Sequence, residues 1–166
     1  AAQRTANLQQ RRQLCAQLGE FLAQADWQQT ELKKLESISR QARAEWQSHY
    51  PCDHRKLKPV EKQFEALQEQ LHDHIRQSKN QNLELKQQLV TQAQALAELE
   101  SDNEATDQAK LLQKRWQQIG PAPRKEDQRA WQAFRSACDQ VFNRRAEAYQ
   151  ADKAALAAQL AAVNNA

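Results

Sequence analysis

Between Pro59 and Gly120 the chain contains no glycine and no proline. A run of that length without a helix breaker or turn former can only be satisfied by long helices, because strands and their connections need such residues at short intervals. The whole chain of 166 residues holds only 2 glycines and 4 prolines, too few for a sandwich, a barrel or a multi-loop α/β enzyme. Alanine and glutamine supply 28 residues each, whereas valine, isoleucine and threonine together supply 11, which favours helix on intrinsic propensity. The predicted fold class is all-α. A mean hydropathy of -0.98 suits narrow apolar stripes on wet helices better than a thick core.

Inside the long run the stripe reads Phe64, Leu67, Leu71, Ile75, Ser78, Asn82, Leu85, Leu89, Ala93, Leu96, Leu99, a three/four alternation. It predicts one helix over about 56–100, with Pro59 tolerated in its first turn and a length of roughly 65 Å. The seam turns polar at Ser78 and Asn82, so the two halves should serve two cores with a solvated bridge between them. The expectation is an elongated protein of two tandem helical-bundle repeats, 1–80 and 81–166, sharing that helix in the manner of spectrin-type arrays.

Four further helices follow from spacing. Leu8, Leu14, Leu18, Phe21 and Leu22 mark the first, and Asp26 with Gln29 three residues on reads as the cap of the second. The second carries Leu32, Leu35, Ile38, Ala42 and Trp46 and must stop before Pro51. Ser101 and Glu104 have capping-box spacing ahead of Ala105, Ala109, Leu112, Trp116 and Ile119. That helix ends at Gly120-Pro121-Ala122-Pro123, where the glycine can take a left-handed conformation. The last helix, from about Glu126, places Trp131, Phe134, Cys138, Val141, Arg145, Tyr149, Leu156 and Leu160 on its inner face.

An offset of about 70 residues relates the two halves. Trp46 matches Trp116, Pro51 matches Pro121, His54-Arg55 matches Arg124-Lys125, and Phe64 matches Phe134. Upstream the copies differ by about five residues, which the pattern places between helix cap and tryptophan. The stretch from Leu112 to Lys125, followed by Trp131, Phe134, Ala137, Cys138, Asp139 and Phe142, resembles the bacterial domain of unknown function 349. The resemblance runs over about 84–150, with a degenerate copy at about 14–80 in which Tyr50, Asp53 and Glu61 replace Gly120, Pro123 and Trp131. It implies tandem helical repeats within larger bacterial cytoplasmic proteins, and no established activity.

The candidate contact residues are basic. Lys110, Lys114, Arg115, Arg124, Lys125 and Arg129 give six cations against two acidic residues between 110 and 129, and His54 and Arg55 repeat the pair in the first copy. Such a field fits a protein partner with acidic surface, or alternatively RNA or the ribosome. Trp46, Phe64, Trp116, Trp131 and Phe134 lie on apolar stripes and are expected as core anchors rather than base-stacking platforms. Two matching Trp-Pro-basic loops in one chain would allow contact at two points.

Other chemistries lack support. His49, Cys52, Asp53 and His54 fall short of a closed zinc set, and the second copy replaces them with Ile119, Ala122, Pro123 and Arg124. His72 and His74 point to different sides of a helix and are expected at the surface. No nucleophile–base pair, paired carboxylate or glycine-rich phosphate loop occurs in a supporting context. The expectation is a non-enzyme without cofactor, metal or small-molecule substrate. Cys15, Cys52 and Cys138 are widely spaced, which fits free thiols in the reducing cytoplasm. The most apolar run, from Ala154 to Val163, is too short to span a bilayer. With no methionine anywhere, the chain reads as a piece of a longer protein.

Overall fold

A computed structural model of the chain describes residues 1–165. Five α-helices follow in order: α1 (Ala2–Gln24), α2 (Leu32–Ser48), α3 (His54–Ala95), α4 (Asp102–Gln118) and α5 (Arg124–Asn165), with a 3-10 turn at Leu96–Glu98 after α3. No strand occurs among the described residues. The chain divides into two compact units, Ala1–Lys79 and Asn80–Ala166, and α3 runs without interruption through the division.

In the first unit α1, α2 and the first half of α3 bury one another's stripes. Leu8, Leu14, Leu18, Leu35, Ala42, Trp46, Phe64 and Leu71 form its core, with Leu71 wholly covered. In the second unit the core is Leu89, Ala93, Ala105, Ala109, Leu112, Trp116, Phe134, Cys138 and Val141, drawn from the second half of α3, from α4 and from the start of α5. No residue between Ile75 and Lys86 is buried, so the polar seam at Ser78 and Asn82 falls where neither core reaches.

Several helix ends differ from their expected form. Asp26 does not start α2. Its side chain accepts from the Gln28 amide at 3.2 Å and its carbonyl from the Thr30 hydroxyl at 2.8 Å, which closes a turn five residues ahead of Glu31, the actual cap. α3 begins at His54, earlier than the pattern placed it, because Asp53 caps it: Oδ1 accepts from the Arg55 amide at 3.1 Å and the carbonyl from Leu57 at 2.9 Å. Pro59 therefore lies in the second turn of α3 rather than the first. Ser101 caps α4 by accepting from Glu104 at 3.2 Å.

Past Arg144, which still reaches Asp102 and the carbonyls of Ala97 and Leu99, the expected inner-face residues of α5 are exposed. Arg145 is exposed, and Tyr149, Leu156, Leu160 and Val163 are 56–74% exposed; helical spacing names a face, but only a neighbouring element can bury it. Nor are the histidines free at the surface. His72 Nε2 lies 2.9 Å from Ser39 Oγ in a buried network with Gln68, and His74 stacks on Trp27 at 3.6 Å and 7°. No helix among the described residues is long and apolar enough to cross a membrane.

Candidate functional site

Each unit turns a corner between its short helix and its following long helix, and the two corners are assembled from equivalent parts. In the first, Trp46 stacks on Phe64 with centroids 4.3 Å apart and planes 5° from parallel. The Arg11 guanidinium sits 4.4 Å above the Trp46 ring while its Nε donates to the Trp46 carbonyl at 3.0 Å. Asn7, one helical turn before Arg11, donates from Nδ2 to the Pro51 carbonyl at 2.8 Å. In the second corner Trp116 stacks on Phe134 at 4.6 Å and 16°. Lys86 Nζ lies 5.2 Å from the centre of the Trp116 ring, and Asn82, again one turn earlier, donates from Nδ2 to the Pro121 carbonyl at 2.8 Å.

The asparagine and the cation four residues on were not singled out by sequence reasoning. An Asn-x-x-x-Arg and an Asn-x-x-x-Lys on helices are common spacings, and only the carbonyl and ring that they meet give them meaning. Asn7 and Asn82 are 75 positions apart, whereas α2 and α4 start 70 apart. The first unit therefore has five more residues ahead of α2 than the second has ahead of α4, and they do not lie between helix cap and tryptophan: α2 and α4 both have 17 residues.

Gly120 fits its place for a reason other than backbone conformation. No glycine has a positive φ, and α4 ends with Ile119 extended. A Cβ at Gly120 would instead lie 3.0 Å from Asn82 Nδ2, the atom that holds Pro121. At the first corner Tyr50 occupies the corresponding position, its peptide bond to Pro51 is cis, and Asn7 reaches the proline carbonyl all the same.

Of the expected anchors, Trp46, Phe64, Trp116 and Phe134 are buried. Trp131 is not: 43% of its surface is exposed while its ring leans on Trp116 at 5.6 Å and 50°. It covers the outer edge of the aromatic pair, so one side of the indole faces water. The expected contact residues His54, Arg55, Lys114, Arg115, Arg124, Lys125 and Arg129 are all exposed, and none forms an ion pair among the described residues.

The remaining reactive groups are engaged or shielded. Cys52 Sγ donates to the His49 carbonyl at 3.3 Å. Among the described residues, no group of three or more His, Cys, Asp or Glu side chains could hold a metal ion. Burial pushes the Cys15 thiol up from its ordinary value, and burial followed by the charge of Asp139 pushes Cys138 up to about 11. A thiol held protonated in this way is a poor nucleophile at neutral pH.

The family model described as Domain of Unknown Function (DUF349) matches residues 54–125. Over those residues the chain is similar to that family. The DUF349 match starts at the first residue of α3 and ends at the second of α5, so it includes both basic pairs, His54-Arg55 and Arg124-Lys125, one at either end. It is phased differently from the 84–150 that motif spacing placed. A periodic sequence can be cut at any point of its period, and the compact units cut it in the middle of α3, whereas the DUF349 match cuts it at the corners. No curated protein and no solved structure matches the chain.

Proposed function

We propose that the chain is a non-catalytic helical-repeat interaction module of a larger bacterial cytoplasmic protein, which engages a protein partner through its Trp-Pro-basic corners and outer helix faces. The observation that carries this reading is the composition of the second corner. Trp131 offers a half-exposed indole next to a buried aromatic pair, and Lys114, Arg115, Arg124, Lys125 and Arg129 from the same corner segment are exposed and form no ion pair among the described residues. Tryptophan and arginine dominate the energetics of protein interfaces when they can be desolvated by a partner. The Asn82–Pro121 bond fixes the loop, so little ordering entropy remains to be lost on docking.

The test is crosslinking in native cells, after nuclease treatment, with the wild-type chain, Trp131→Ala and the double reversal Arg124→Glu/Lys125→Glu. Loss of the same protein partners in both variants is the expected result. Recovery of an unchanged set would remove the corner as the contact.

A further inference from the structure

A cleft of about 890 Å³ in the first unit opens between the N-terminal turns of α1 and the start of α3. Arg4 and Arg12 reach it from one face of α1, and His54, Arg55 and Lys56 from α3. All five are exposed, and none of the five has an ion-pair partner among the described residues. The single carboxylate in the lining, Asp53, is occupied in capping α3. The first turn of α3 carries no acidic residue, so Asp53 is the one negative charge set against these cations.

We infer that this cleft binds the phosphodiester backbone of a single nucleic-acid strand, which goes beyond the corner reading above and shares with it only the His54-Arg55 pair of the first corner. A protein partner would need an aromatic or aliphatic anchor to fill. The cleft offers only Ala1 and Leu8 from its lining; the first is a single methyl group and Leu8 is itself 4% exposed. What remains is a track of guanidinium and ammonium groups, and arginine matches phosphate oxygens in paired geometry. Binding of this kind neutralises phosphates and releases their counterions without reading bases. The corresponding start of α5 is different: Glu126 and Asp127 stand in its first turn and Asp127 pairs with Lys86, so carboxylates are interleaved with the cations there.

The probe is a fluorescein-labelled oligouridine, whose weakly stacking bases isolate the backbone contribution, titrated with the full chain and followed by anisotropy. With Arg4, Arg12, Arg55 and Lys56 each meeting one phosphate, affinity should fall about 50-fold between 50 and 200 mM salt. Arg4→Glu/Arg12→Glu should weaken binding at 50 mM at least about 10-fold, and Arg124→Glu/Lys125→Glu should change it less than about 3-fold. The milder Arg4→Gln/Arg12→Gln should flatten the log–log salt slope by about 1.4, because two phosphate contacts are lost; this readout does not depend on how a charge reversal affects folding. Absence of binding at 50 mM, an unchanged slope in the glutamine variant, or equal weakening by the α5 reversal would overturn the inference. So would equal competition by polyglutamate, which would make the ligand a carboxylate chain.

Discussion

The two corners solve the same problem with opposite treatment of charge. Both place a cation on the outer face of the tryptophan, but Arg11 satisfies itself on the Trp46 carbonyl, whereas Lys86, 7% exposed, needs the Asp127 carboxylate at 2.8 Å. The guanidinium can cover the ring and donate at the same time because its donors are spread over a plane; an ammonium is a point charge that demands a counter-ion when buried. The consequence reaches the surface. The second unit supplies Asp127 at the start of α5 for this purpose, while the first unit has Leu57 at the corresponding place in α3 and leaves only the Asp53 cap to oppose its basic residues. A substitution inside the corner thus changes the strength of the field outside it.

If the aromatic pair is the common element, its loss should be the most damaging change in either unit. Trp46→Ala and Trp116→Ala should each cost about 3–5 kcal/mol, read from urea unfolding, whereas Trp131→Ala should cost under about 1.5 kcal/mol because much of the indole is already in water. Equal costs for Trp116 and Trp131 would show that the second corner has a three-ring core. The charge treatment is sharpened by Asp127→Ala, which leaves Lys86 buried and uncompensated and should cost about 2–3 kcal/mol. Adding Lys86→Met should restore most of that loss; no restoration would mean that Asp127 acts mainly through its bond to the Ala122 amide.

The buried thiols offer a pH probe of the second unit. Since Cys138 is pushed up to about 11 from 9.0, the unfolded chain deprotonates first as pH rises. The stability contributed by the neutral buried thiol is complete below about pH 9 and is lost towards about pH 11, at no more than about 1.4 kcal/mol per pH unit. Cys138→Ala should flatten the unfolding midpoint over that window. A decline that persists unchanged in the variant would assign it to other groups.

Much of the helical organisation could be read from periodicity: the stripes of α1 to α4 name the residues that the cores contain, and Phe64 and Phe134 lie under their tryptophans as the shared spacing requires. Periodicity stops being informative where burial depends on a partner element. Tyr149, Leu156, Leu160 and Val163 continue the stripe of α5 into solvent, and Trp131 shares a stripe with Phe134 yet sits at its edge. Arg11 and Lys86 were missed for the converse reason, since charged residues are excluded from a stripe and only the ring beneath each accounts for its burial. The candidate cations were visible by composition alone. The cleft was not, because Arg4 and Arg12 are about 40 or more positions from His54 in sequence and meet it only through the packing of α1 against α3.

The smallest effect is the most discriminating between the corners. Gly120→Ala places a Cβ 3.0 Å from Asn82 Nδ2, so the amide must turn away and the bond to the Pro121 carbonyl is weakened; the expected cost is about 0.5–1 kcal/mol. Asn82→Ala alone should cost about 1 kcal/mol for the same bond. In the double variant the obstacle has gone, and because Gly120 has an ordinary negative φ, alanine there should restrict the unfolded chain and return about 0.4–1 kcal/mol. The cycle should therefore be strongly non-additive. At the first corner Tyr50 already carries a side chain at this position and Asn7 still makes its bond, so Asn7→Ala should cost the same with Tyr50 or with Tyr50→Ala. Coupling there, or additivity at Gly120, would mean that the two asparagines do not hold their loops in the same way.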